Sequence, residues 1–384
     1  MRIMNSGSKA WPGSWIEINL SALRENFRTI RGLTRPKAGI LAVVKADAYG
    51  HGLIPVAREL IRMKVEALGV GTVEEGILIR TRIKEAVPIV VLLGAQAEES
   101  PACFHYRLTP IVYSYPVAER LHQEGLRRKR PLPVHLKVDT GLGRLGVPWK
   151  EFGSFLQQLR PLKGIVVTGL TSHFGRADEK GQRDNRLQWN RFKSALEQAR
   201  QLGFSLSENH LANSAALLND GKTHLDYVRP GILLYGSNPI GPLTLKEGFD
   251  LKPVMTFKSR ILQVKKIPAG VGVSYGGTYR TSRAEWLAVI AAGYSNGYLR
   301  QLSNRAEVLI RGQRFPVTGR VCMNLTVVRI PAGLNCSPGE EAVLLGAQDR
   351  ERIPVEELAR QAGTIPYEIF CLLGPLNPRT YLNY

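Results

Sequence analysis

A chain of 384 residues is long for one domain, and its 44% hydrophobic and 22% charged residues give an ordinary globular balance with enough apolar material for a sizeable core. The longest apolar runs, Ile89 to Leu93 and Leu287 to Ala292, fall far short of the ~20 residues that cross a bilayer, so no membrane partner is expected. A net charge of +20 invites a nucleic-acid reading, but only Arg127 to Arg130 is densely basic and no aromatic is interleaved with it; the charge reads as a property of the whole surface, with no nucleic-acid partner.

Residues 1–15 hold no apolar stretch between their charges and the first strand, so no secretory signal is expected and the cytoplasm is the expected compartment. Cys103, Cys322, Cys336 and Cys371 are scattered, without a CxxC pair or a histidine at zinc spacing; they read as free thiols, and no metal is expected. Strand-like runs follow at Ile16 to Leu20, Gly39 to Lys45, Ala67 to Gly71, Pro88 to Leu93, Thr109 to Ser114, Val134 to Asp139, Val166 to His173, Glu208 to Asn213 and Tyr227 to Tyr235. Amphipathic helical segments separate them, among them Ser21 to Gly32, with Ser21 placed to cap, and Asp184 to Leu202, stopped by Gly203. Alternation at this pitch predicts a parallel sheet, and eight units close a (β/α)8 barrel of the TIM type. One strand is surplus; the first is assigned to packing with a second domain. Near residue 240 the cluster GSNPIGPL changes the texture, which sets the expected domains at 1–240 and 241–384. Beyond it Met255, Phe257 and Ile261 alternate with Thr256, Lys258 and Arg260, and Val308 to Val317 reads as a hairpin turning near Gly312. The second domain is therefore expected to be mostly β.

The chemistry concentrates at predicted strand ends, where a barrel of this kind builds its site. The run Ala42-Val43-Val44-Lys45-Ala46-Asp47-Ala48-Tyr49-Gly50-His51-Gly52 brings an amine to the end of an apolar strand, where desolvation would lower its pKa and make it a nucleophile toward a carbonyl carbon. A lone lysine there would more simply snorkel to solvent. Lys137 and Asp139 end another strand with Arg144 just beyond, His173 a third, and Asn213-Ser214 a fourth; Arg229-Pro230-Gly231-Ile232 interrupts the last. Singly, His173 could be a core histidine and Ser214 a helix cap, but their joint placement at strand ends favours one site.

AVVKADAYGHG resembles the cofactor-lysine signature of fold-type III pyridoxal-phosphate enzymes, alanine racemases in particular. The resemblance extends through VDTGLGRLG, SHFGRAD, HLANSAA, RPGILLYG, VSYGGTY, GYSNGY, GRVCMN and IPYEI, in order along nearly the whole chain. It implies pyridoxal phosphate on Lys45, with its phosphate held by Tyr49, Ser214, Tyr367 and the amides of Gly231 and Ile232. Arg229 would face the pyridine nitrogen; guanidinium does not hand over its proton, so the ring nitrogen stays unprotonated and racemisation is favoured over transamination. His173 would keep Arg229 in position. The second catalytic base would be Tyr275, supplied by the partner subunit of a homodimer, opposite Lys45. The substrate carboxylate would meet Arg144 and the Met323 amide, and in many relatives a carbamate on the lysine matching Lys137 steadies that arginine. Asp178, Arg300 and Arg320 match entrance positions, and Tyr294 and Tyr367 the inner gate.

The implied activity is interconversion of L- and D-alanine, supplying D-alanine for peptidoglycan. Asn296 and Asn324 stand where the family pattern has aspartates, which removes negative charge from loops expected at the entrance, where Arg176 adds a cation. Serine or broad-specificity racemisation therefore remains an alternative. A fold-type III decarboxylase is a further one, although Cys322-Met323-Asn324 replaces its usual Cys-Asp pair, and so is a pyridoxal-phosphate-binding barrel without turnover, which would lack a second domain to supply Tyr275.

Overall fold

The structure, a computed structural model, describes residues 13–179, 181–241 and 250–383; Pro242 and Leu243 of the expected boundary cluster lie outside them. The described residues within Ala22–Lys252 form one compact unit, and those within Met1–Ser21 and Pro253–Tyr384 form another.

In chain order the first strands are β1 (Ser14–Asn19), β2 (Gly39–Val43), β3 (Ala67–Val70), β4 (Ile89–Val91), β5 (Thr109–Val112), β6 (Leu132–Asp139), β7 (Ile165–Thr171), β8 (His210–Asn213) and β9 (Tyr227–Arg229). From β2 to β9 each strand pairs in parallel with the next, and β9 returns to β2 with Tyr227 opposite Gly39 and Val228 opposite Ile40. That closes an eight-stranded parallel barrel. Residues such as Leu41, Ala42, Leu68, Val70, Ile89 and Val91 are completely buried, as expected where helices cover the outside of a parallel sheet and side chains fill its inside.

Seven of the nine strands stop short of the runs expected for them, six by one or two residues and β9 by six, and two of these stops shape the site. β2 ends at Val43, not Lys45, because the chain turns left-handed directly after Lys45. β9 ends at Arg229, since Pro230 has no N–H for the ladder and Ile232–Tyr235 winds into a 3-10 turn. The helix after β1 starts at Leu20 and is closed by Asn19, whose side chain accepts the Ser21 N–H at 3.0 Å; Ser21 is thus inside the helix and not its cap. The helix Arg183–Gln201 runs out just before Gly203, which has φ +84° and donates to Arg200 O at 2.9 Å.

The other unit is organised by β10 (Met255–Ile267), which pairs antiparallel with β1, β11 (Glu285–Ile290) and β15, the last following β12 (Glu307–Ile310), β13 (Gln313–Pro316) and β14 (Thr326–Ile330) and spanning Glu341–Gln348. The surplus first strand belongs to this sheet, where it also pairs with a terminal strand, Arg379–Leu382. Met255, Phe257, Ser259 and Ile261 are buried while Thr256, Lys258 and Arg260 are not, the period-two pattern of a sheet with one covered face. β12 and β13 form the expected hairpin: Ile310 is paired with Gln313 across Arg311 and Gly312, both at positive φ.

Candidate active site at the strand ends

Directly after β2 the chain makes a turn rare for L-residues. Ala46, Asp47 and Ala48 all have φ and ψ near +50°, Tyr49 has φ 53° and Gly50 φ 79°. Each non-glycine residue in this region costs about 1–2 kcal/mol, so the turn must be fastened from outside. Asp47 does part of this, its carboxylate accepting the Leu53 N–H at 2.6 Å while its own carbonyl accepts from Gly52 at 2.8 Å. Aromatic rings do more: His51 stacks on Tyr235 at 4.4 Å, Tyr49 packs against the same ring at 5.0 Å, and Tyr235 Oη donates to Val43 O at 3.0 Å. The result holds Lys45 just beyond the strand and turns Tyr49 back across the barrel end.

Tyr49 comes to rest against Gly231. A Cβ built on Gly231 would lie 2.5 Å from Tyr49 Oη, and the Gly231 N–H donates to Ser214 Oγ at 2.9 Å. One amide and two hydroxyls therefore converge at a place only a glycine allows, beside Ile232 at the start of its 3-10 turn. Hydroxyls and amides in a glycine-made concavity suit an anion such as a phosphate.

Arg229 is the buried cation of this region, 6% exposed. Its Nη1 donates to His210 Nδ1 at 2.9 Å and Thr171 Oγ1 at 3.3 Å, and its Nη2 to Ser172 O at 2.8 Å, Leu211 O at 3.0 Å and His173 Nδ1 at 3.3 Å. Nε makes no hydrogen bond among the described residues. Burial, and then the charge of Arg144, pull its pKa down to about 9, which leaves it charged at neutral pH. His173 and His210 are held well below the ordinary histidine pKa, first by burial and then by Arg229; as neutral rings each can offer Arg229 a lone pair.

Lys137, Arg144 and Lys45 add to this positive field. Burial, followed by Arg229, Arg144 and Lys45, brings the Lys137 pKa to about 8, with Asp139 acting in the opposite sense. Asp139 itself is occupied in shaping the loop that carries Arg144: its carboxylate accepts the N–H groups of Gly141, Leu142 and Gly143 at 2.8, 2.9 and 2.9 Å. Four cations facing one carboxylate make a site for anionic ligands.

The remaining candidates divide between the units. Asp178 is exposed on the loop after β7, and Arg176 there is forked onto Glu179 at 2.9 and 2.6 Å, so its charge is locally answered. In the β-rich unit Tyr275 is 70% exposed at the tip of a loop. Ser274, at φ 61°, secures that loop by donating to Arg320 O at 2.6 Å and lying 3.1 Å from Cys322 Sγ. Tyr294 begins a 3-10 turn whose amides at 294 and 295 donate to Cys322 O and Met323 O at 3.0 and 2.9 Å. Tyr275, Tyr294, Arg320 and Met323 are thus joined through one loop cluster, while Arg300 begins its own 3-10 turn and Tyr367 is the second residue of the helix Pro366–Leu376.

Residues 18–239 match the alanine racemase N-terminal domain and 254–381 the alanine racemase C-terminal domain. The chain belongs to the alanine racemase family. An alanine racemase of Syntrophobacter fumaroxidans is 43% identical over 370 residues, 96% of this chain and 98% of the relative. The alanine racemase of Clostridium difficile 630 superposes with a TM-score of 0.90 at 34% identity, over 98% of this chain and 97% of that one. A family member from Bartonella henselae, solved with covalently bound pyridoxal phosphate, gives 0.86 at 28% identity over 96% and 99%.

One expectation from the family pattern changes on this geometry. Asn296 does not simply line an entrance: its Oδ1 accepts the Gly293 N–H at 3.2 Å and its Nδ2 donates to Ser14 Oγ at 3.0 Å and Asn377 Oδ1 at 3.4 Å. The amide is knitted into its own unit, a task that needs a donor. Asn324 is exposed and donates to Ser295 Oγ at 2.8 Å. Sequence reasoning also missed His210, the first residue of β8, and His135, in the middle of β6; their only signal is a histidine within a strand and away from its C-terminal end.

Proposed function

We propose that this chain interconverts L- and D-alanine with pyridoxal phosphate, supplying D-alanine for peptidoglycan. The observation that carries the reading is the glycine-made cradle of Tyr49, Ser214 and Gly231 set beside the cations Lys45, Lys137, Arg144 and Arg229, in a chain of this family. The cofactor, when bound, supplies a carbonyl carbon for an amine and an electron sink for the charge left when Cα loses its proton.

This chain's residues divide the remaining work. Lys45 would carry the cofactor; Tyr49, Ser214 and Tyr367, with the amides of Gly231 and Ile232, would hold its phosphate. Arg229 would face the ring nitrogen and keep its proton, since its pKa of about 9 lies above neutral pH. Neutral His173 accepts from Arg229 and fixes its plane. Arg144 and the Met323 amide take the substrate carboxylate. The Lys137 amine, with a pKa near 8, is neutral often enough near physiological pH to add carbon dioxide, and the carbamate would neutralise part of the cationic field. Lys45 and Tyr275 move the proton on opposite faces of Cα, and Asp178, Tyr294, Arg300 and Arg320 line the way in.

A homodimer with shared sites is part of the reading. Tyr275, Tyr294, Met323, Leu325 and Ile365 are large apolar side chains left 36–70% exposed on the β-rich unit, which favours burial against a second copy. The four cysteines are free, which supports a cytoplasmic setting; separately, among the described residues no helix is long and apolar enough to cross a membrane.

The test is incubation of protein and cofactor with pure L-alanine, with serine in parallel, followed by chiral chromatography. Because enantiomers have equal free energy, the reading expects equal amounts of L- and D-alanine at the end. Loss of alanine with release of carbon dioxide, or no D-alanine from cofactor-loaded protein, would contradict it.

A further inference from the structure

Behind Arg229 the barrel interior contains a line of polar side chains that the reaction does not require. His210 Nδ1 accepts from Arg229 Nη1 at 2.9 Å. His210 Nε2 lies 2.9 Å from His135 Nδ1, and His135 Nε2 lies 3.1 Å from Glu208 Oε2. Both rings are buried, at 0 and 1% exposed, whereas the Glu208 side chain is 30% exposed just before β8. The line therefore joins a solvent-touching carboxylate to the buried guanidinium. Space for it is kept by Gly169 in β7: a Cβ there would lie 3.0 Å from His135 Cδ2 and collide with the Glu208 carbonyl.

The end groups dictate the protons between them. A guanidinium only donates and a carboxylate only accepts. His210 must then present a lone pair on Nδ1 and carry its proton on Nε2, aimed at His135. His135 in turn must present a lone pair on Nδ1 and carry its proton on Nε2, aimed at Glu208. With both rings neutral this is the one arrangement that makes every contact a hydrogen bond, all three donating toward the carboxylate. Thr171 Oγ1, 2.9 Å from His210 Nδ1, is compatible with it: the hydroxyl shares the single Nδ1 lone pair with Arg229 Nη1 or turns its proton to Ser172 O at 3.4 Å.

We propose that Glu208 is a positioning residue for Arg229: by fixing the tautomers of His135 and His210, it guarantees that Arg229 Nη1 meets a lone pair and so holds the guanidinium plane. Without the carboxylate, His135 is free to carry its proton on Nδ1, which pushes the His210 proton to Nδ1. Two N–H groups would then face each other across the Arg229 contact, and the arginine or the ring would have to turn away. The consequence for catalysis rests on the reading of Arg229 as the partner of the cofactor ring nitrogen; the tautomers themselves do not.

The experiment is nitrogen NMR of the full-length protein labelled with 15N-histidine, first without and then with pyridoxal phosphate. In the wild type, both Nδ1 atoms should give the shift of an unprotonated nitrogen and both Nε2 atoms that of a protonated one, already without cofactor. Glu208→Met should mix or reverse the pattern on both rings. Glu208→Gln, which retains an acceptor oxygen, should restore it. In the loaded enzyme, Glu208→Met should raise the pyruvate formed per racemisation several-fold, and the Gln variant should return toward wild type. A protonated Nδ1 on His210 or His135 in the wild type overturns the proposal even if no variant folds, and so does an unchanged pattern in folded Glu208→Met. If the tautomers respond but pyruvate formation does not, the relay stands and the placement of Arg229 at the ring nitrogen fails.

Discussion

Tyr49 Oη lies 2.5 Å from the position a Cβ would take on Gly231. The hydroxyl and the backbone thus share a space that only a glycine leaves open. Gly231→Ala should displace Tyr49 and spoil the phosphate cradle. The expected result is cofactor affinity weaker by at least ~10-fold, about 1.4 kcal/mol, with the fold kept. Adding Tyr49→Phe should relieve much of the clash without restoring the affinity. Equilibrium titration with pyridoxal phosphate and thermal unfolding separate the two effects.

The left-handed turn after Lys45 makes a second expectation. Asp47→Ala removes the acceptor of the Leu53 N–H and should cost about 1 kcal/mol, the ordinary worth of a capping side chain. Ala46→Gly relieves a residue at φ 53° and should be neutral or stabilising by up to about 1 kcal/mol. Denaturant unfolding of the two variants should therefore shift in opposite directions, or in the Asp47 variant alone.

The barrel was legible because its strands are short, apolar runs spaced by amphipathic helices, and the site because its polar residues fall at strand ends. The turn was not legible: Ala46, Asp47 and Ala48 have no intrinsic wish to be left-handed, and what holds them there is tertiary, the Tyr235 ring and the Leu53 amide. The His135–His210 pair was hidden for the same reason, since its meaning depends on two strands brought together across 75 residues. Ser21 was expected to cap the helix that Asn19 caps, and sequence offers no firm rule for a boundary choice two residues apart.

Restoring the family's aspartates should separate two asparagines that look alike in sequence. Asn296→Asp removes the donor to Ser14 and sets a carboxylate against Asn377 Oδ1, and Asn377 cannot simply turn over because its Nδ2 already donates to Leu373 O and Asn296 O at 2.7 and 2.8 Å. A loss of about 1–3 kcal/mol is expected. Asn324→Asp, exposed, should stay within about 0.5 kcal/mol. Equal effects on the thermal midpoint would refute this distinction.

Lys137 predicts a pH dependence. Its pKa falls from 10.5 in the unfolded reference to about 8 in the fold, so between those values the unfolded state binds more protons and stability rises with pH. Below pH 8 the full penalty of a buried charge is felt. Cofactor-free Lys137→Met should then be more stable than wild type near pH 7, by on the order of 1–3 kcal/mol, and the difference should shrink as pH rises from 8 toward 10.5. A constant difference would mean the lysine is not charged against its surroundings.

The most direct test of the account is where the cofactor attaches. Protein loaded with pyridoxal phosphate is reduced with borohydride, digested, and its peptides sequenced by mass spectrometry. A pyridoxyl group is expected on Lys45, in the peptide that contains the left-handed turn, and none on any lysine in folded Lys45→Ala protein. A specific label on another lysine, or labelling that persists unchanged without Lys45, would contradict it.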